Sequence, residues 1–409
     1  MRHSLKLLAL IVLAAAPLAA QLPQELIAIT RANVVDGVSD TRLRNATIVI
    51  RGGKIESIRV NGAVPAGARV LDAANRWVAP GMIDAHTHIR TVADARRALQ
   101  SGVTTVRSAS VPNYQDVALR DIAQSGFMIL PDMIATGVFV SPELGETITA
   151  DARLAPLATG VRTPEELRLL VQVNAAHGVN WIKTRGTERA GLPDTDPRQQ
   201  TYTEAQLRVV VDEAAKAHIP VMAHAHGDEG AYAAVRAGVK SIEHGTYLSD
   251  STLRLMKERN VWLVPTYSTI VDLTTPGGDY SDPVLDLRGQ HMQPRIEDVI
   301  RRAHALGVRI AAGADTDYHR ESTTRIAHEV MRFVALGISP LDALVTATSG
   351  AAELLGIGNA TGRIAEGYEA DLIIVERDPL VEPGSLRDPL LVITNGRIAL
   401  NRLQMGLGN

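Results

Sequence analysis

Between residues 78 and 357 the chain alternates short apolar runs with amphipathic stretches of helical period, a pattern that few folds can satisfy. Each apolar run is short and bounded by polar or glycine positions, so it reads as a buried parallel strand whose following helix carries the chain back along the sheet. Eight such runs can be counted, at residues 78–89, 104–110, 128–137, 180–185, 221–226, 241–245, 262–267 and 309–315. The stretches between them read as helices, for example 203–218, opened by Thr203 and Gln206 in a capping-box pattern, and 250–259. Eight βα units fit a closed (β/α)8 TIM barrel better than an open doubly wound sheet, for which no Gly-x-Gly-x-x-Gly fingerprint is present. In such a barrel, chemistry belongs at the C-terminal ends of the strands.

The two ends of the chain have a different texture. Residues 26–77 contain short β-like runs separated by glycine turns, such as Ala46-Thr-Ile-Val-Ile-Arg-Gly-Gly-Lys-Ile. The same character returns in Gly367-Tyr-Glu-Ala-Asp-Leu-Ile-Ile-Val and in the run beginning at Leu390. This predicts an α/β protein whose barrel, 78–357, is flanked by one discontinuous β-sandwich domain, 21–77 and 358–409. Ahead of it, Arg2, His3 and Lys6 precede an apolar stretch that ends in Pro17 and Leu18-Ala19-Ala20, so residues 1–20 read as a secretory signal peptide. An uncleaved anchor is the alternative, but the stretch falls short of the ~20 apolar residues a membrane span needs. The expectation is an exported protein, periplasmic or secreted, without stable membrane insertion once the signal is removed.

Composition narrows the chemistry. With no cysteine, the chain has neither disulfides nor thiolate metal ligands, and a bacterial lipoprotein is excluded. The 42 basic and 45 acidic side chains are spread along the sequence without a like-charge run, which argues against nucleic acid as a partner.

The first strand ends in Asp84-Ala-His86-Thr-His88, where two imidazoles two residues apart point to one side of an extended segment. The fourth carries Lys183 among apolar neighbours, where an unpaired ammonium is costly. Either it finds a carboxylate, or its pKa falls and it reacts with carbon dioxide to form an anionic carbamate. The fifth strand ends in His224-Ala-His226, the sixth in Glu243-His244-Gly245 and the eighth in Gly313-Ala-Asp315. Each is unremarkable alone, but a barrel makes strand ends converge.

These segments together resemble the amidohydrolase superfamily, within its imidazolonepropionase-like and prolidase-like branch. The resemblance is carried by Pro80-Gly-Met-Ile-Asp-Ala-His86-Thr-His88, Ile182-Lys183, His224, the run from Ala237 through Gly245, Gly313-Ala-Asp315 and the late Gly362-Arg-Ile-Ala-Glu-Gly-Tyr-Glu-Ala-Asp-Leu. It implies one divalent metal held by His86, His88 and Asp315, and a second held by His224 and His244. Carboxylated Lys183 and a hydroxide would bridge the two metals. Zinc suits an imidazole–carboxylate set without thiolates. The resemblance thus implies an amide hydrolase acting on a peptide or N-acyl amino acid, with Asp315, Lys183 and His244 central to catalysis.

Substrate groups are expected on the loops after the strands. His226, Arg185, Tyr267 and His319 are the candidates, with Arg107, Arg189 and Tyr318 also available there. Arg185 either binds substrate or neutralises the carbamate, and the Tyr267 hydroxyl either stabilises an oxyanion or merely sits at the rim. The 187–203 segment is expected to overhang the fourth strand end as a lid or a surface loop. Cyclic amide or lactone hydrolysis on the same metals is the alternative activity, a non-catalytic binding protein the remote one, and a homo-oligomer is compatible with the fold.

Overall fold

The computed structural model describes residues 25–280 and 282–403, so the segment read as a signal peptide lies outside the described residues. The chain begins with strands β1 (Ile27–Val35), β2 (Arg42–Arg51), β3 (Lys54–Val60), β4 (Arg69–Asp72) and β5 (Trp77–Pro80). The barrel strands follow: β6 (Met82–Thr87), β7 (Val103–Ser108), β8 (Asp132–Ile134), β9 (Ile182–Arg185), β10 (Val221–Ala225), β11 (Ser241–His244) and β12 (Trp262–Val264). The chain closes with β13 (Leu372–Val375), β14 (Leu391–Thr394) and β15 (Arg397–Asn401).

Both ends of the chain enter one eight-stranded sheet, ordered β15-β14-β13-β5-β1-β2-β3 with β4 on β1. This sheet curls over on itself. Ile55 and Gly53 at the β2–β3 end hydrogen-bond to Tyr368 and Ala370, just ahead of β13, and the two inner faces enclose Ile29, Ile48, Ile50, Leu372 and Ile393. A two-layered sandwich core thus arises from a single sheet.

The first expected barrel strand is divided. Trp77–Pro80 pairs with β1 and β13 in the end sheet, and only Met82–Thr87 joins the barrel. Gly81 makes the passage, because a Cβ there would meet the Thr104 side chain at 2.3 Å. The eighth expected strand is not a regular one, yet its backbone joins the two barrel sheets. Leu263 exchanges hydrogen bonds with Arg309 and Ala311, while Ala85 N and His88 N donate to the carbonyls of Ala312 and Thr316 at 3.0 Å. On the opposite side, Val140 N donates to Lys183 O and Asn180 N to Ala135 O, completing the ring.

Period-two alternation directs the side chains. On β10, Ala223 and Ala225 pack outward against the helices, while Met222 joins Ile83, Trp181 and Val264 in the inner core beneath the polar strand ends. Helix Glu204–Ala215 starts with the expected capping box of Thr203 and Gln206, and Ser249 caps Asp250–Glu258. Among the described residues, no helix is long and apolar enough to cross a membrane.

Candidate metal centre

His86, His88, Lys183, His224, His226, His244 and Asp315 converge on one cavity of about 510 Å³ at the C-terminal strand ends. Asp315 lies at the centre, its Oδ1 3.3 Å from His86 Nε2 and 3.1 Å from His88 Nε2. Lys183 Nζ is 3.4 Å from His86 Nε2, and the ring centroids of His224 and His244 are 4.5 Å apart. Donor atoms of His86, His244 and Asp315 lie within 4.8 Å of one another, as do those of His224, His226 and His244. His226 therefore stands beside the second group, its ring stacked on His244 at 4.6 Å.

The backbone is bent to achieve this. His244, Thr266 and Asp315 all take positive φ, at 74°, 46° and 50°, a conformation that costs energy outside glycine and accumulates where function demands it. At β11 the bend lets two consecutive residues serve the barrel interior, Glu243 below and His244 at the rim.

Each imidazole is also held from behind. His86 Nδ1 meets Glu243 Oε2 at 2.6 Å, His88 Nδ1 the Ser110 carbonyl at 2.8 Å, His244 Nδ1 Thr266 Oγ1 at 2.6 Å, and His224 Nε2 the Glu188 carbonyl at 3.0 Å. Such partners fix tautomer and ring plane, leaving the other nitrogen free to ligate. Glu243 is itself gripped by Arg107 Nη2 at 3.0 and 3.1 Å, and the guanidinium lies over the Trp181 ring at 4.7 Å.

Electrostatics favour cation binding. Burial pushes Lys183 down to about 8 and His226 to about 3, and holds His224 and His244 well below the ordinary imidazole range. Burial opposes ionisation of Asp315, but the imidazoles of His86 and His88 override it and keep the carboxyl well below its usual range. The centre thus offers neutral imidazoles at His224, His226 and His244, an ionised carboxylate and a lysine whose amine is more readily neutral than usual. Nitrogen and oxygen donors of this kind, buried and backed by hydrogen bonds, fit divalent zinc-like ions.

Those depressed imidazoles make a prediction about stability. His226 is near 3 in the fold against an ordinary 6.5, so the unfolded chain binds more protons between these values. Stability is full above 6.5 and lost as the pH falls towards 3. The melting temperature of metal-free protein, followed by circular dichroism, should decline steadily below pH 6.5.

Residues 77–399 match the amidohydrolase family. The chain belongs to the amidohydrolase family. This amidohydrolase is 26% identical over 392 residues to ochratoxinase from Aspergillus niger, with 86% of this chain and 81% of that protein covered. It superposes with a TM-score of 0.82 on a Xaa-Pro dipeptidase crystallised with methionine in its active site, at 26% identity over 91% of this chain and 99% of the other. A prolidase complexed with N-methylphosphonate-L-proline superposes with a TM-score of 0.80 at 25% identity, covering 91% and 99%.

Of the expected substrate residues in this amidohydrolase, His226, Arg185 and His319 line the cavity, together with Arg189. Tyr267 does not. Strand β12 stops at Val264, the left-handed Thr266 turns the chain, and Tyr267 opens helix Tyr267–Asp272 with its hydroxyl on Glu297. Tyr267→Phe should therefore leave kcat/KM unchanged and cost on the order of 1 kcal/mol of stability, read by urea denaturation.

Arg107 and Tyr318 are likewise not rim groups. Arg107 is fully buried on Glu243, and Tyr318 is fully buried with its hydroxyl 2.7 Å from Asp84 Oδ2. His177, His218, His291, His304 and His328 all stand outside the cavity lining. The 187–203 segment overhangs the cavity through Arg189, Ala190 and Gly191, and Arg288 pins it by donating to the carbonyls of Ala190 and Leu192 at 2.5 and 2.6 Å. Glu243, Thr246, Thr266 and Tyr280 were not expected from the sequence. Glu243 alone carried a signal, a carboxylate inside an apolar strand run.

Proposed function

We propose that this amidohydrolase cleaves the amide bond of a dipeptide or N-acyl amino acid bearing a free carboxylate, with two divalent metal ions, zinc foremost. The observation that carries this reading is that Arg185 and Arg189 face the same cavity as the metal donors. Arg189 has no carboxylate partner among the described residues, whereas Arg185 is shared with Glu188 at 3.3 Å and Glu143 at 3.7 Å. Methionine and proline, the amino acids named in the two superposed structures, each carry such a carboxylate.

His86, His88 and Asp315 would hold one ion, and His224 and His244 the other, with Lys183 between them as its carbamate. Bound there, the ions would acidify water and polarise the scissile carbonyl. Asp315 accepts the proton of the attacking water at its carboxylate and returns it to the departing nitrogen, which otherwise leaves as an unstable amide anion. His226 has its Nδ1 2.9 Å from Thr246 Oγ1, so its Nε2 is left to hydrogen-bond the substrate. Arg189 orients the substrate by its carboxylate, and the 187–203 overhang limits solvent above it. Export by the 1–20 segment belongs to the same reading, and N-terminal sequencing of the secreted protein tests it.

The substrate class is tested with matched dipeptides, their C-terminal amides, N-acyl amino acids and small lactones. The free acids should be turned over and the amides poorly so. Arg189→Met should raise KM for the acids about tenfold or more, since a charge-assisted hydrogen bond contributes ~1.5–3 kcal/mol. Turnover of lactones alone would replace this reading with the cyclic one.

A further inference from the structure

Where β8 begins, away from the catalytic cavity, a second cavity of about 450 Å³ lies between the barrel and the end sheet. Three carboxylates meet there: Asp132 from the barrel, and Glu369 and Asp371 from the approach to β13. One oxygen of each lies within 4.8 Å of the others. The hydrogen bonds they receive come from neutral donors. Asn395 N and Thr361 Oγ1 donate to Asp371 at 2.7 and 2.6 Å, and Asn395 Nδ2 donates to Asp132 at 3.1 and 3.2 Å. Among the described residues none of the three forms an ion pair; Arg397 lines the same cavity, but its one hydrogen bond goes to the Met128 carbonyl.

Thr105 lines this cavity, is fully buried, and its Oγ1 has no hydrogen-bond partner. The β7–β8 register sets Thr105 directly beside Asp132, and cross-strand neighbours in a parallel pair project from the same face of the sheet. An orphaned hydroxyl is therefore aimed at the carboxylates, and a buried hydroxyl left without a partner is destabilising. Burial raises the pKa of both Asp132 and Asp371, and at Asp132 the neighbouring charges of Asp371 and Glu369 add to it.

We propose that Asp132, Glu369 and Asp371, with Thr105 directly or through water, bind a calcium ion that ties the barrel to the end sheet. The donors are all oxygen, which selects a hard cation over zinc. Their oxygens lie no farther apart than 4.8 Å, inside the ~5.2 Å that two oxygens on opposite sides of a calcium ion can span. The site is distinct from the catalytic centre and takes no part in the reaction.

The test uses the full chain with its catalytic metals loaded as zinc, titrated with CaCl2 by calorimetry and followed by thermal unfolding. One calcium per chain should bind, with the melting temperature rising through the ~0.1–1 mM range of extracellular calcium modules. Asp132→Asn and Glu369→Gln should abolish the heat and the shift while leaving kcat unchanged. Thr105→Val should melt no lower than wild type without calcium, yet gain less from it. Absence of binding heat and thermal shift in the wild type would overturn the proposal, as would calcium binding that survives in Asp132→Asn. An Asp132→Asn protein that melts above wild type even in saturating calcium would instead assign the cluster to a shared proton.

Discussion

Asp315→Asn is expected to lower kcat by about 10²–10⁴, the range attributed to a positioned general base. Asparagine keeps the shape and can still meet His86 and His88, which now lie 3.3 and 3.1 Å from the carboxylate, but it cannot take up a proton. KM should change little, because Asp315 is not proposed to hold the substrate carboxylate. An asparagine side chain does not ionise in the accessible pH range, so raising the pH should not restore a proton acceptor at this position. Metal content measured on the same sample separates the two tasks assigned to this residue. A variant that retains its metal and loses kcat has lost the proton carrier, whereas one that loses both has lost a ligand.

Glu243→Ala should be the most destabilising single change at the centre, by ~3–5 kcal/mol in urea denaturation, because it strands the buried Arg107 guanidinium. It should also weaken metal binding by releasing His86 Nδ1. Burial opposes ionisation of Glu243, but Arg107 foremost and then His86 bring its pKa to about 2 against the usual 4.5. The contribution is therefore complete above pH 4.5 and is lost as the pH falls towards 2. Pairing Arg107→Met with Glu243→Gln removes both charges, so stability should largely return while metal affinity does not. That split distinguishes positioning of His86 from mere packing.

The strand-end histidines and Asp315 were legible as a converging set because strand periodicity is strict, whereas their assignment as metal donors, with Lys183, came from the family resemblance. Residues two apart share a face, so the pairs at His86 and His88 and at His224 and His226 announce themselves locally, and barrel closure supplies the convergence. What escaped depends on partners distant in sequence or on local backbone bends. Arg107 and Glu243 are 136 residues apart, and nothing near Arg107 distinguishes an interior cation from a rim cation. Tyr267 was misplaced because the left-handed turn at Thr266 ends the strand early, at a residue type that rarely adopts that conformation. The division at Gly81 was hidden for a different reason: the apolar run continues unbroken while the backbone changes sheets.

Metal content followed together with dipeptide hydrolysis through chelation and reconstitution is the sharpest test of a divalent-metal amide hydrolase. About two ions per chain are expected, with turnover lost as they are removed and recovered in step with added zinc. Turnover that survives complete removal of metal, or protein that binds no metal on reconstitution, would contradict it.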